Sequence, residues 1–160
     1  MRSGDKPGSI PLMPVHSPRL AVRGLLLIDN RLLLVNAWPK HRGNLWCAPG
    51  GGVERGSSLP DNLAREFHEE TGLTVGVGDP CLVNEFHDPE GTFHQVDVYF
   101  RCTLLAGQLD NNWKDPERVV CERRLFSRDE IARIKVKPDS LAAVAWGEAI
   151  FYDPLEPILR

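Results

Sequence analysis

No apolar run in these 160 residues approaches the roughly 20 residues needed to cross a bilayer as a helix, so no membrane partner is expected. The four cysteines, Cys47, Cys81, Cys102 and Cys121, form no Cys-x-x-Cys and no paired close spacing of the kind that holds zinc; they read as buried, reduced thiols. An excess of positive charge is also missing. The formal net charge of -3 and the pI near 5.9 exclude the broad basic surface that grips nucleic acid, and no stable nucleic-acid complex is expected. Residues 1–18 lack an apolar signal core and are rich in Ser, Gly and Pro, which predicts a cytoplasmic location. There is no internal repeat. The glycines at 50–52 are not followed by Gly-Lys-Ser/Thr, so they do not form a nucleotide-binding P-loop.

What is present suits one soluble core. Hydrophobic residues make up 42% and charged residues 26%, and 160 residues are too few for two ordinary domains. Pro7, Pro11, Pro14 and Pro18 predict a flexible N-terminal arm over 1–18, and the remainder, 19–160, a single domain. Apolar runs at 20–28 and 31–38, separated by Asp29-Asn30, read as a hairpin. Residues 39–58 should be loop apart from a short strand near Trp46. Ser58 is placed to cap a helix whose first turn holds Pro60 and Asp61, and Gly72 to end it in a left-handed conformation. Strands are expected at 74–77 and 82–87, then a turn over 88–91. In the following strand, 93–105, His94, Val96, Val98 and Phe100 alternate with Gln95, Asp97, Tyr99 and Arg101. A strand at 119–126, a helix at 128–134 capped by Ser127, and a last helix from 139 or 140 to about 150 complete the order. Strands and helices do not alternate strictly, which predicts an α/β fold with a mixed sheet and helices on both faces.

Within the capped helix, Glu66, Glu69 and Glu70 stand at i, i+3 and i+4, on one face. Like charges at this spacing cost about 0.2–0.5 kcal/mol per pair, and the negative end of the helix dipole disfavours them further. One reading is an ordinary solvated face. The other is a site for a hard divalent cation, which prefers carboxylate, carbonyl and water oxygens.

The surroundings favour the second reading. Gly51, Arg65, Glu66, Phe67, Glu69, Glu70, Gly72 and Leu73 fall at the spacing of the signature of the Nudix hydrolases, after the approach Leu45-Trp46-Cys47-Ala48-Pro49-Gly50. The chain resembles that family at every fixed position except Ser57, where the family usually has Glu. The resemblance implies an α/β/α sandwich and a Mg2+- or Mn2+-dependent pyrophosphohydrolase. Its substrate would be a small molecule, a nucleoside diphosphate linked to another group: a nucleoside diphosphate sugar such as ADP-ribose, a nucleoside triphosphate or a dinucleoside polyphosphate. The alternative is a catalytically weak nucleotide-binding or regulatory module. Carried over residue by residue, Glu66, Glu69 and Glu70 would hold metal together with the Gly50 carbonyl, and Glu66 would double as base. Glu117 or Glu122 could supply a fourth carboxylate and Glu54 a further ion site. Gly51 would let the main chain approach the diphosphate, and Arg23 and Arg42 would contact substrate, with His41 beside Arg42 in a closing loop. Trp38, Phe86 and Trp113 are candidates for stacking on a base. Arg65 would lose its usual partner at Ser57 and turn to Glu54, Glu69 or a loop carbonyl. A monomer or homodimer is expected.

Overall fold

A computed structural model describes residues 16–39, 42–147 and 151–159. Most of the expected N-terminal arm, His41 and the end of the last expected helix lie outside these residues. Asp29 and Asn30 take φ of 50° and 61°, the two left-handed positions of a tight hairpin turn, and they join β1 (Arg19–Ile28) to β2 (Arg31–Asn36). β3 (Trp46–Cys47) pairs antiparallel with the end of β2.

β1 is the spine of the sheet. Its start pairs antiparallel with β4 (Gly50–Gly52), and its length pairs parallel with β6 (His94–Ala106). β6 in turn pairs antiparallel with β5 (Thr74–His87), and β7 (Arg123–Phe126) with β2. Two short strands, β8 (Phe151–Tyr152) and β9 (Glu156–Pro157), run parallel to β5. The main path is β3-β2-β1-β6-β5-β8, a mixed sheet as expected.

Alternation along these strands divides the core between the two faces. Val22, Leu26, Leu33, Phe100 and Cys102 point to α1 (Leu59–Thr71), where they meet Leu63 and Phe67, with Leu73 just past its end. A side chain at Gly24 would come within 2.7 Å of the Phe67 ring, so the bare backbone there is what lets α1 lie close to β1. Leu25, Leu32, Leu34, Leu82 and Tyr99 face the other way, toward Ile131 of α2 (Arg128–Ile131) and Leu141, Val144 and Ala145 of α3 (Leu141–Ala145). The result is an α/β/α arrangement. No described helix is long and apolar enough to cross a membrane.

The α1 ends follow the sequence. Ser58 Oγ accepts from the Asp61 N–H at 3.1 Å, and Gly72, at φ 75°, donates its N–H to the His68 carbonyl at 2.8 Å. Elsewhere the boundaries differ. The expected loop 39–58 contains β4, because three glycines can lie flat against β1. The separate strands at 74–77 and 82–87 are one strand, carried through residues 78–81 by register shifts. The expected strand 119–126 shortens to β7, because Asn36 Oδ1 takes the N–H groups of Cys121 and Glu122, both at 2.9 Å, in place of a ladder. The helices expected at 128–134 and from 139 or 140 are short, ending at Ile131 and Ala145.

Candidate active site

The glycines bring backbone against carboxylate. Gly50 has φ 151°, and a Cβ there would fall 1.9 Å from the Val22 carbonyl oxygen. Its N–H donates to Glu70 Oε2 at 3.0 Å. A side chain at Gly51 would sit 2.5 Å from Glu66 Oε2, so Glu66 rests directly on the main chain. Glu66 is buried, 7% exposed, and Glu70 is half-buried. Burial raises the Glu70 pKa to about 8, against the pull of Arg23 and the Gly50 N–H and with help from the charges of Glu66 and Asp115. Burial likewise pushes Glu66 up, opposed by Arg65 and aided by Glu69 and Glu117. Two carboxyl groups with raised proton affinity thus share one place, the arrangement a cation relieves.

Arg65 compensates for Ser57 in several directions at once. It reaches Glu66 Oε1 at 3.0 Å, Glu69 Oε1 at 3.4 Å, Glu54 Oε1 at 3.6 Å and Asn62 Oδ1 at 3.3 Å. Glu54 and Glu69 are the carboxylates expected from sequence. Asn62, 1% exposed, was not anticipated, and it ties the loop to the helix. Its Nδ2 donates to the carbonyls of Ser57 at 3.1 Å and Ser58 at 2.8 Å, while its Oδ1 accepts from the Glu54 N–H at 2.8 Å.

The far end of α1 is held by its backbone. Trp113 Nε1 donates to the Glu69 carbonyl at 2.8 Å and Arg123 Nε to the Glu70 carbonyl, so two groups that a helix terminus leaves unpaired are satisfied. Asp115 shapes the loop that delivers Trp113, accepting from the N–H groups of Glu117, Val119 and Val120 at 2.9–3.1 Å. Trp113, a stacking candidate in the sequence, packs edge-on against His68 on α1 and does not line the cavity below.

A cavity of about 820 Å3 joins these parts. Of the expected site residues it brings together Arg23, Gly50, Gly51, Arg65, Glu66, Glu70 and Glu117, with Glu54, Trp38 and Phe86 also on its wall. Glu69, Glu122 and Arg42 are not on it. Glu69 is turned toward Arg65 on the outer side of the helix, Glu122 is tied by its backbone to Asn36, and Arg42 is exposed on the loop after Pro39. Arg23 is committed to the protein: its Nη1 donates to the carbonyls of Ala48 and Gly50, both at 3.3 Å, and its Nε lies 3.7 Å from Asp97. Sequence reading also passed over Asn84, Gln95 and Asp97, which line the same cavity from β5 and β6. The polar alternation in β6 was the signal available, and it resembles a solvent face.

Among the described residues no three Asp, Glu, His or Cys side chains stand together as a complete metal shell. The donors at hand, Glu66, Glu70 and the Gly50 carbonyl, are nonetheless hard oxygens. They fit an ion such as Mg2+, which binds through one or two carboxylates and keeps water and substrate phosphates as its other ligands.

Comparison with known proteins agrees with this geometry. The chain is 28% identical over 133 residues to nucleoside diphosphate-linked moiety X motif 6 of Mus musculus, covering 82% of this chain and 41% of that protein. It is 30% identical over 92 residues to an ADP-ribose pyrophosphatase of Methanocaldococcus jannaschii, covering 58% and 54%. The chain thus spans about half the length of the curated relatives it matches. A crystal structure of a UDP-X diphosphatase superposes with a TM-score of 0.68 at 22% identity, covering 89% of this chain and 70% of that one, a likeness of fold. The model of the NUDIX domain matches residues 17–147, which contain every element from β1 to α3, and the chain belongs to the NUDIX domain family.

Proposed function

We propose that this chain is a divalent-metal-dependent pyrophosphohydrolase acting on a nucleoside diphosphate linked to another moiety. The observation that carries this reading is the pair of carboxylates held against the glycine backbone, Glu66 against Gly51 and Glu70 on the Gly50 N–H, in one cavity. The names of the relatives support the substrate class, with ADP-ribose, nucleoside triphosphates and dinucleoside polyphosphates all admissible. Mg2+ or Mn2+, when bound, would offset charge on the phosphate oxygens and acidify a bound water.

Glu66, Glu70 and the Gly50 carbonyl would hold the ion. Glu69, on Arg65, is a weaker candidate for the same role. Gly51 leaves room for the diphosphate beside the main chain, and Arg65 holds Glu66 in place. The water oxygen bonds to phosphorus, the bridging P–O bond breaks, the leaving phosphate keeps the electron pair, and a carboxylate takes the proton of the water. Glu66 is the candidate for that proton, with Glu117, exposed at the cavity wall, a second.

The test is incubation with a panel of these diphosphates plus Mg2+ or Mn2+, followed by phosphatase-coupled phosphate release. Turnover that vanishes in chelator supports the reading. Tight nucleotide binding without turnover would favour a regulatory module, for which the departure at Ser57 is the motive.

A further inference from the structure

The wall of the cavity opposite the glutamates is a polar patch on β5 and β6. Register places Asn84 opposite Asp97 and Phe86 opposite Gln95, while β1 sets Arg19 beside Gln95 and Ala21 beside Asp97. Most polar groups here satisfy one another. Arg19 Nη1 donates to Gln95 Oε1 at 2.7 Å, and Gln95 Nε2 donates to Asp97 Oδ1 at 2.8 Å. Asn84 is different: it is 3% exposed, it lines the cavity, and its amide Nδ2 is buried with no hydrogen-bond partner. An unpaired buried donor of this kind costs on the order of 1–3 kcal/mol, a cost that a ligand acceptor would remove.

Position and neighbours narrow what that ligand is. β4, β1, β6 and β5 lie side by side, so Asn84 stands three strand spacings, about 14 Å, from the glycine strand. That is beyond the reach of a phosphate held at Gly50 and Gly51, and within reach of the group a nucleoside carries at its far end. Phe86, two residues along the same face, and Phe93 line the cavity there, their ring centroids 5.8 Å apart. Aromatic faces beside a buried, unpaired amide donor suit a flat heterocycle better than the many hydroxyls of a sugar.

We propose that Asn84 is a specificity-determining residue that donates its amide N–H to an acceptor atom on the edge of the substrate's nucleobase, with Phe86 and Phe93 against the ring. This rests on the reading of Glu66, Glu70 and the glycine strand as the diphosphate site. The row explains why the donor is free: Gln95 is occupied by Arg19 and Asp97, so Asn84 is left to meet an incoming acceptor. A buried amide retained only for packing would have no reason to face a cavity unpaired.

The test compares ADP-, GDP-, UDP- and CDP-glucose, which differ only in base, and ADP-ribose, which keeps the base and changes the sugar and its point of attachment. The enzyme is the full chain with Mg2+, as wild type, Asn84→Leu and Asn84→Ser. Calorimetric binding of AMP, GMP, UMP and CMP gives a second readout that needs no turnover. The wild type should prefer one base by at least about tenfold in kcat/KM, and both variants should bring the four bases within about threefold, a loss the size of one hydrogen bond. The mononucleotide affinities should converge in the same way. The melting temperature of Asn84→Leu should not fall, since Nδ2 has no protein bond to lose. A base preference unchanged in both variants overturns the proposal, as does a preference that moves between ADP-glucose and ADP-ribose instead of between bases. A sharp fall in melting temperature with the base ratio intact in Asn84→Ser would make the residue structural, and would also overturn it. Mononucleotide preference that depends on Asn84, with none of the diphosphates hydrolysed, would sink the hydrolytic reading and leave this assignment standing.

Discussion

Trp113 Nε1 donates to the carbonyl oxygen of Glu69 at 2.8 Å, so the last turn of the glutamate helix is fastened from outside by its own backbone. The indole also packs where Gly72 ends the helix, 2.8 Å from where a side chain on that glycine would begin. Trp113→Phe keeps most of the ring and removes the donor. Urea unfolding should show a loss of about 1 kcal/mol. The kcat should fall by more than KM changes, because Glu70 is next in the chain to the freed carbonyl. An unchanged kcat would separate this cap from the chemistry.

Asn62 and Ser57 make opposite predictions. Asn62→Ala removes the bonds to the Ser57 and Ser58 carbonyls and to the Glu54 N–H, and should cost about 2–3 kcal/mol by urea unfolding. Ser57→Glu supplies the family's usual carboxylate, but Arg65 already has Glu54, Glu66 and Glu69 around it. The gain in this partly exposed cluster should therefore stay below about 0.5 kcal/mol. A larger gain would mean that those contacts do not occupy Arg65 in solution.

The metal-free protein should lose stability as the pH rises from mildly acidic through neutral. Glu70 has a carboxylate pKa raised from its ordinary value to about 8, chiefly by burial, so the folded state holds its proton more tightly than the unfolded chain does. That contribution is complete below the unfolded pKa and disappears as pH rises through about 8. In chelator the melting temperature should fall as pH rises from about 4.5 to about 8 and level off above that, and Glu70→Gln should flatten the slope. A profile identical in wild type and variant would place the titration elsewhere.

The α1 boundaries were legible because they depend on neighbours in sequence: Ser58, Pro60 and Asp61 at one end, Gly72 at the other. So were the Asp29-Asn30 turn and the alternation in β6. Pairings across the sheet were not. Nothing local marks Gly50–Gly52 as a strand, since its partners on β1, Ala21 to Arg23, lie far earlier in the chain. Nor does spacing show that Asn36 takes the backbone of Cys121 and Glu122, or that Asn62 replaces the missing glutamate at 57. Polar residues inside a cavity read like polar residues facing water, which is why the alternation in β6 did not mark Gln95 and Asp97 as site residues. The motif found the carboxylates; the fold decided that Glu66 and Glu70 line the cavity and that Glu69 does not.

The most direct test is the turnover of Glu70→Gln, in saturating Mg2+, on the best substrate of the diphosphate panel. The amide keeps the shape and can still accept from the Gly50 N–H, but it removes the charge that a cation requires. Hydrolysis should fall at least about a hundredfold, while the melting temperature in chelator equals or exceeds that of the wild type. Turnover near the wild-type rate would contradict the account.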